Sequence, residues 1–198
     1  MLEVSHIINF VYNSMTYILT EDGATDVWIV DCGDVDELAN TIRILKGDVF
    51  SIKGVLLTHG HYDHIYGLPK LTAMFPNLVV YTNAFGKKLL ASERLNMSRY
   101  HDDPINYQTE NVVECEEGDV IDLFDGVWAK VHHTPGHCPS CLTYEIGDYV
   151  FSGDAYIPGV KVVTTLRDSN KQLAAQSVER ILKLSEGKQL KPGHQVDY

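Results

Sequence analysis

The stretch THGHYDHIYG at residues 58–67 follows directly on the short apolar run GVLLT at 54–58. A run this short and this apolar has the character of a strand buried in a parallel sheet. It hands the chain to a loop that carries His59, His61, Asp63 and His64 within six residues. A lone histidine on a loop is more often structural than a ligand. Four ligand-type side chains crowded together reverse that expectation, because desolvation and mutual repulsion would destabilise them unless a cation sat among them. Neighbours such as Asp63 and His64 leave the loop in directions different from those of His59 and His61. The cluster therefore suits two metal positions better than one.

Outward from this loop the chain alternates strands and helices. Upstream, HIINFVYN and MTYILTED are β-branched and aromatic runs divided by Asn13-Ser14, and DVWIVDCGD is a third, nearly continuous apolar run. Leu38, Ile42 and Leu45 recur at helical spacing between 35 and 45, and Gly47 stops that helix. Downstream, 65–75 is expected to be helical and LVVYT at 78–82 a strand, which makes a right-handed crossover unit. The polar stretch 92–110 has no clear period and is expected to be an ordered loop or short helix over the surface. Strands are expected at 111–114, 119–123, 127–133, 142–146 and 149–152, and a last helix at about 171–184. No internal repeat or low-complexity segment interrupts this α/β order, so residues 1–198 are taken as a single domain.

Composition narrows the classes. With 198 residues, 44% hydrophobic and 22% charged, the chain has the makeup of an ordinary globular domain rather than a disordered or fibrous one. A net charge of −11 argues against nucleic acid or an anionic membrane as partner. The N-terminus lacks a basic start, an apolar run and a cleavage site, and no window approaches the roughly 18 apolar residues of a membrane span. A cytoplasmic protein acting on a small molecule is expected. Nine histidines in such a chain are a generous supply of the commonest metal ligand.

Further ligand candidates lie downstream, each at a strand-to-loop junction beside a glycine. These are His137 in HTPGH, Asp154 in FSGDAY and His194 in KPGH. With these residues in this order the chain resembles the metallo-β-lactamase superfamily over nearly its whole length. The matching motifs are Asp31 in VDCGD, the cluster His59, His61, Asp63 and His64, then His137, Asp154 and His194. The resemblance implies a four-layer αββα sandwich with its site at the strand ends. It also implies that His59, His61 and His137 hold one metal, Asp63, His64 and His194 the other, and that Asp154 bridges both. Asp31 would orient the histidine loop.

The chemistry of the set agrees with that carry-over. Imidazole and carboxylate suit zinc first, with iron or manganese as alternatives, and such metal pairs sit about 3.5–4 Å apart. A hydroxide held between two divalent metal ions is a nucleophile at neutral pH, and Asp63 would accept its hydrogen bond and aim it. No G-x-S-x-G elbow is present to supply a protein nucleophile. The carboxylate at 154 looks more like the glyoxalase II (hydroxyacylglutathione hydrolase) and lactonase branches than the true β-lactamases. The expected activity is hydrolysis of a thioester or related activated ester. Alternatives are a mononuclear iron persulfide dioxygenase, a lactonase or a phosphodiesterase. The chain ends four residues after His194, where full glyoxalase II enzymes continue into a glutathione-gripping helical region, so that region is expected to be missing.

Softer candidates for substrate contact are Tyr66, Tyr156, Lys161 and Arg167. Cys138 and Cys141 form a C-x-x-C beside His137, read as small buried thiols packed against the site rather than a redox pair. Of His132 and His133, one is expected to face the sheet and the other solvent. His6 and His101 have no partner visible in the sequence.

Overall fold

The computed structural model of the protein describes residues 1–195. Two sheets lie face to face. The first is built from β1 (Leu2–Ile8), β2 (Met15–Glu21), β3 (Asp26–Val30), β4 (Ser51–Leu56), β5 (Val79–Thr82) and β6 (Val112–Glu114), in that spatial order. Its first pairings are antiparallel, and β3 to β6 run parallel. The second sheet runs in the order β11 (Gln189–Pro192), β10 (Tyr149–Gly153), β9 (Leu142–Ile146), β8 (Val127–His133) and β7 (Val120–Phe124).

Alternation along the strands makes the layers, since successive side chains leave opposite faces. In β2 and β3, Tyr17, Leu19, Trp28 and Val30 point inward to meet Val131, Leu142, Tyr144 and Phe151 of the other sheet. Ile18, Val27 and Ile29 point the other way, onto α1 (Val35–Lys46) and α3 (Leu68–Met74), through Leu38, Ile42, Leu68 and Leu71. On the far side, Val150 of β10 packs with Ile181 of α5 (Lys171–Leu184). Helix, sheet, sheet, helix is the resulting order, as the sequence led us to expect.

Helix α1 forms because Val35, Leu38, Ala39 and Ile42 fall on one buried stripe. Asp36 and Glu37 lie in its first turn and Arg43 and Lys46 in its last, each of the sign that favours the helix dipole there. Gly47, at φ +78°, closes it by bonding back to the Arg43 carbonyl.

Several boundaries differ from the sequence expectations. The first strand starts at Leu2 and stops at Ile8, because Asn9 turns inward and Tyr12 and Asn13 take left-handed backbone angles. The expected helix 65–75 is two pieces, a single turn α2 (Tyr62–Ile65) and α3, broken at Gly67. A Cβ on Gly67 would run into the Gly33 carbonyl. Helix α4 (Ala84–Leu90), capped by Asn83, and the short strand β11 are additional to the expected elements. The stretch 92–110 is a surface loop with one 3-10 turn, Ser98–Tyr100.

Candidate metal centre

Each ligand candidate sits just past the end of a strand, at one edge of the sandwich. His59, His61, Asp63 and His64 follow β4, His137 follows β8, Asp154 follows β10 and His194 follows β11. In a parallel sheet this carboxyl edge is where ligand sites form, since the loops there are free to converge. The seven side chains converge. Ligand atoms of His59, His61 and His137 lie within 4.8 Å of one another, as do those of His59, His64 and Asp154, and those of Asp63, His64 and His194. The middle group shares His59 with the first and His64 with the last, and Asp154 stands between the two outer groups.

The rings are held from behind. Asp31 accepts the Thr58 backbone N–H and hydroxyl, both at 2.7 Å, and the His64 Nδ1–H at 2.8 Å. The Thr58 hydroxyl, its proton given to Asp31, accepts from His59 Nδ1 at 3.2 Å. His137 Nδ1 donates to the Val163 carbonyl and His194 Nδ1 to the Tyr12 carbonyl, at 3.1 and 2.9 Å. Those four contacts turn Nε2 of His59, His64, His137 and His194 toward the centre, as the nitrogen each ring can offer a cation. Asp31 itself has φ +58°. A left-handed conformation in a non-glycine residue costs roughly 1–2 kcal/mol, here offset by the hydrogen bonds of its carboxylate.

A divalent cation fits this arrangement. His59 Nε2 and Asp154 Oδ1 are buried without a hydrogen-bond partner. His194 Nε2 comes within 3.2 Å of Asp154 Oδ1, yet its direction is wrong for a hydrogen bond. His61 Nδ1 and His137 Nε2 face each other at 3.0 Å, and His64 Nε2 and His194 Nε2 at 3.3 Å. Lone pairs aimed at one another and an orphaned carboxylate oxygen are what a shared cation would satisfy.

Charge is divided unevenly across the cluster. Burial and the neighbouring His137 push His61 down to about 3, and burial with His64 and His61 pushes His59 well below the usual imidazole range. Although burial opposes it, Asp63, Asp31 and Asp154 raise His64 well above its ordinary value, so that without a cation its Nε2 takes a second proton, which a bound cation would displace. Asp154 and Asp63 likewise lift His194 to about 10 against its own desolvation. Against the upward push of burial, the positive charge of His64 holds the Asp63 and Asp154 carboxyls well below the usual range.

A polar strap ties the N-terminal loop to this centre. The Asn9 amide donates to Ser14 Oγ and Thr16 Oγ1, while its carbonyl oxygen accepts the Asp34 N–H. The Ser14 hydroxyl donates to the Asp63 carbonyl at 2.8 Å. Ser14 also pairs with His194 across an antiparallel bridge. A Cβ on Gly193 would collide with Asp154 Oδ1, so the chain passes the carboxylate with backbone alone.

The softer candidates divide. Arg167 joins His61 and His137 in the wall of a cavity of about 390 Å³, and Lys161 lies beside His137 and Asp154 in a smaller one. The Tyr66 hydroxyl is taken by Asp34 at 2.6 Å, and its ring borders a separate cleft with Asp36 and Lys70. Tyr156 packs into the apolar layer under α5. Cys138 borders the 390 Å³ cavity, and all four thiols are buried and free. Burial pushes the Cys138 and Cys141 thiols up, away from thiolate character. His132 is buried, and His133 is only half-exposed with its Nε2 enclosed, so neither ring is fully solvated. His101 does have a partner, stacking on Tyr62 at 3.9 Å between centroids, and His6 lies near Tyr17. The sequence did not single out Asn9, Ser14 or Thr58, which act through folded neighbours, nor Arg94, which reaches the cavity from the loop after α4.

Comparison with known proteins agrees with this geometry. Residues 9–194 match the model of the metallo-beta-lactamase superfamily. A protein of Aquifex aeolicus is 34% identical over 167 residues, covering 83% of this chain and 76% of its own. A hydroxyacylglutathione hydrolase of Tolumonas auensis is 25% identical over 178 residues, covering 87% of this chain and 62% of that enzyme. Among solved structures, BLEG-1 B3 metallo-beta-lactamase superposes with a TM-score of 0.85 at 25% identity, covering 98% of this chain and 92% of its own. TTHA1623 in a di-iron-bound form superposes at 0.79 and 25%, covering 97% and 92%.

Proposed function

The chain belongs to the metallo-beta-lactamase superfamily, and on that premise we propose that it is a dinuclear metal-dependent hydrolase acting on a thioester or related activated ester. The observation that carries this reading is the convergence of His59, His61, Asp63, His64, His137, Asp154 and His194, with His59 Nε2 and Asp154 Oδ1 buried and unpartnered among them. His59, His61 and His137 would hold one cation and Asp63, His64 and His194 the other, with Asp154 shared. Two divalent cations supply a hydroxide at neutral pH and positive charge for the oxyanion formed at the carbonyl.

The protein's own groups do the rest. Asp63, next to the shared Asp154, would accept the hydrogen bond of the attacking water and fix its direction. The Asp31–Thr58 pair holds the Nδ1–H of His59 and His64, so that Nε2 of each is the nitrogen offered to a cation. The cavity beside His61 and His137 admits the substrate from one side. Support for the thioester substrate comes from the resemblance to hydroxyacylglutathione hydrolase. The di-iron relative supports testing iron beside zinc and manganese.

The test is metal analysis of reconstituted protein, followed by turnover of thioesters, lactones, phosphodiesters and a β-lactam with each metal form. Two metal equivalents, thioester turnover and its loss in His59→Ala are expected, with weak or no turnover of the β-lactam. Clearly fewer than two equivalents, or an unchanged rate in His59→Ala, would sink the reading. Robust β-lactam turnover, which the likeness to BLEG-1 makes worth measuring, would replace the substrate class.

A further inference from the structure

The 390 Å³ cavity that has His61 and His137 in its wall is also bordered by Arg94 and Arg167. These two residues come from opposite halves of the chain, Arg94 from the loop after α4 and Arg167 from the loop before α5. The rest of the lining mixes apolar side chains, Leu95 and Met97 among them, with polar ones such as Thr165 and Tyr100. Arg94 has no ion pair or side-chain hydrogen bond among the described residues. Arg167 meets only Asp168, which shares the wall, with Nε 3.7 Å from Oδ1 in a pair 63% and 38% exposed. A pair so long and so exposed contributes little, and it leaves the terminal nitrogens of Arg167 to another partner.

Two arginines without strong partners border one cavity in a chain with 27 acidic and 16 basic residues. Several other basic side chains do meet carboxylates, Arg180 with Glu117, Lys70 with Asp36, Lys87 with Glu114 and Lys188 with Glu145. A guanidinium kept free at the rim of a cavity is the usual device for bidentate capture of a carboxylate or phosphate. An acidic surface around a basic mouth also focuses the field that draws an anion inward.

We propose that Arg94 and Arg167 form an anion-binding end to this cavity, selecting substrates that carry a carboxylate or phosphate monoester remote from the reacting carbonyl and joined to it by a short linker. This deepens the hydrolase reading and rests on it only for where the reacting bond lies.

The test separates the two. Metal-loaded protein is titrated by calorimetry with 3-mercaptopropionate, 2-mercaptoethyl phosphate and the neutral 3-mercaptopropanamide, and the S-acetyl esters of the same thiols are assayed for hydrolysis. At low salt, at least one anionic thiol is expected to bind about tenfold more tightly than the amide, the gain typical of a charge-assisted contact. Comparing the carboxylate with the phosphate shows which anion the site takes. In the double variant R94Q/R167Q the preference is expected to fall to near unity, while R94K/R167K keeps part of it. Both arginines are exposed, so these changes leave the core untouched. Raising salt is expected to shrink the preference, since exposed charges are screened. Equal binding of all three thiols by the native protein, or a preference that survives R94Q/R167Q, overturns the proposal. Selective anion binding with no hydrolysis of any ester leaves the anion site standing and removes the hydrolase reading.

Discussion

Replacing Asp31 by Asn tests the ring-holding role of its carboxylate without altering shape or backbone. Asn tolerates the left-handed angle that Asp31 occupies, so the turn at φ +58° is preserved. One oxygen accepts the Thr58 N–H, and the other accepts both the Thr58 hydroxyl and His64 Nδ1. In the variant, the amide nitrogen takes the second oxygen's place and presents a donor to the His64 Nδ1–H. Two donors cannot share that 2.8 Å contact, so His64 turns to the tautomer protonated at Nε2, which removes the lone pair facing the centre. Losing such a support behind a ligating histidine costs about 10–100-fold in metal affinity. Loss of the charge-assisted bond itself removes roughly 1.5–3 kcal/mol. The assay is competition with a chromophoric chelator for metal affinity, with ¹⁵N chemical shifts of His64 reporting the tautomer. Native-like affinity together with an unchanged Nδ1–H tautomer in Asp31→Asn would refute the reasoning.

Other outcomes follow from particular contacts. Ser14→Ala leaves the buried Asp63 carbonyl without the hydroxyl at 2.8 Å, and an orphaned buried group costs about 1–3 kcal/mol; thermal unfolding should register that loss, and an unchanged Tm would refute it. Gly153→Ala meets a φ of +50° and the Thr58 side chain together, so it should lower Tm and weaken metal binding through Thr58, whereas Gly23→Ala, with open space around it, should show only the backbone strain. Removing metal with a chelator should lower Tm reversibly, because a ligand at 100 times its Kd stabilises by about 2.7 kcal/mol; coincident melting curves with and without metal would contradict this. The Lys188 ammonium beside Glu145 holds its carboxyl below the usual range, so this pair stabilises above the ordinary carboxylate pKa and loses that effect as the pH falls. Glu145→Gln should therefore lower Tm at pH 7 and converge with the native protein near pH 3, and a difference that persists in acid would count against the pair.

The parts of this molecule that could be read from the chain are those whose evidence is local. His59, His61, Asp63 and His64 announce themselves by crowding within six residues. Strands β2, β3 and β9 announce themselves as short β-branched and apolar runs, and α1 by its stripe. The strand β11 escaped notice because QLKP is polar and proline-bearing, and its pairing is supplied by β10 alone. Asn9, Ser14 and Thr16 look like ordinary turn residues, yet tertiary folding buries them as a hydrogen-bonded group. Tyr66 lies two residues past His64, but the turn of α2 swings its hydroxyl to Asp34. Arg94 is far from every ligand in sequence and joins them only through the path of the loop after α4. What was missed depends on contacts between distant segments, for which no short-range pattern exists.

The origin of the seven side chains has a mechanical consequence. His59, His61, Asp63 and His64 hang from the first sheet, and His137, Asp154 and His194 from the second. Cations held among them would act as a staple across the mouth of the sandwich, closing a loop of chain that runs from His59 to His194. The entropy of closing so long a loop grows only slowly with its length, so the staple restrains the unfolded chain much as a distant cross-link does. A backbone cut between Glu114 of β6 and Val120 of β7 would leave two pieces, each bearing one sheet and part of the ligand set. Their reassembly should then depend on metal concentration, which makes the centre a joint of the architecture as well as a place for chemistry.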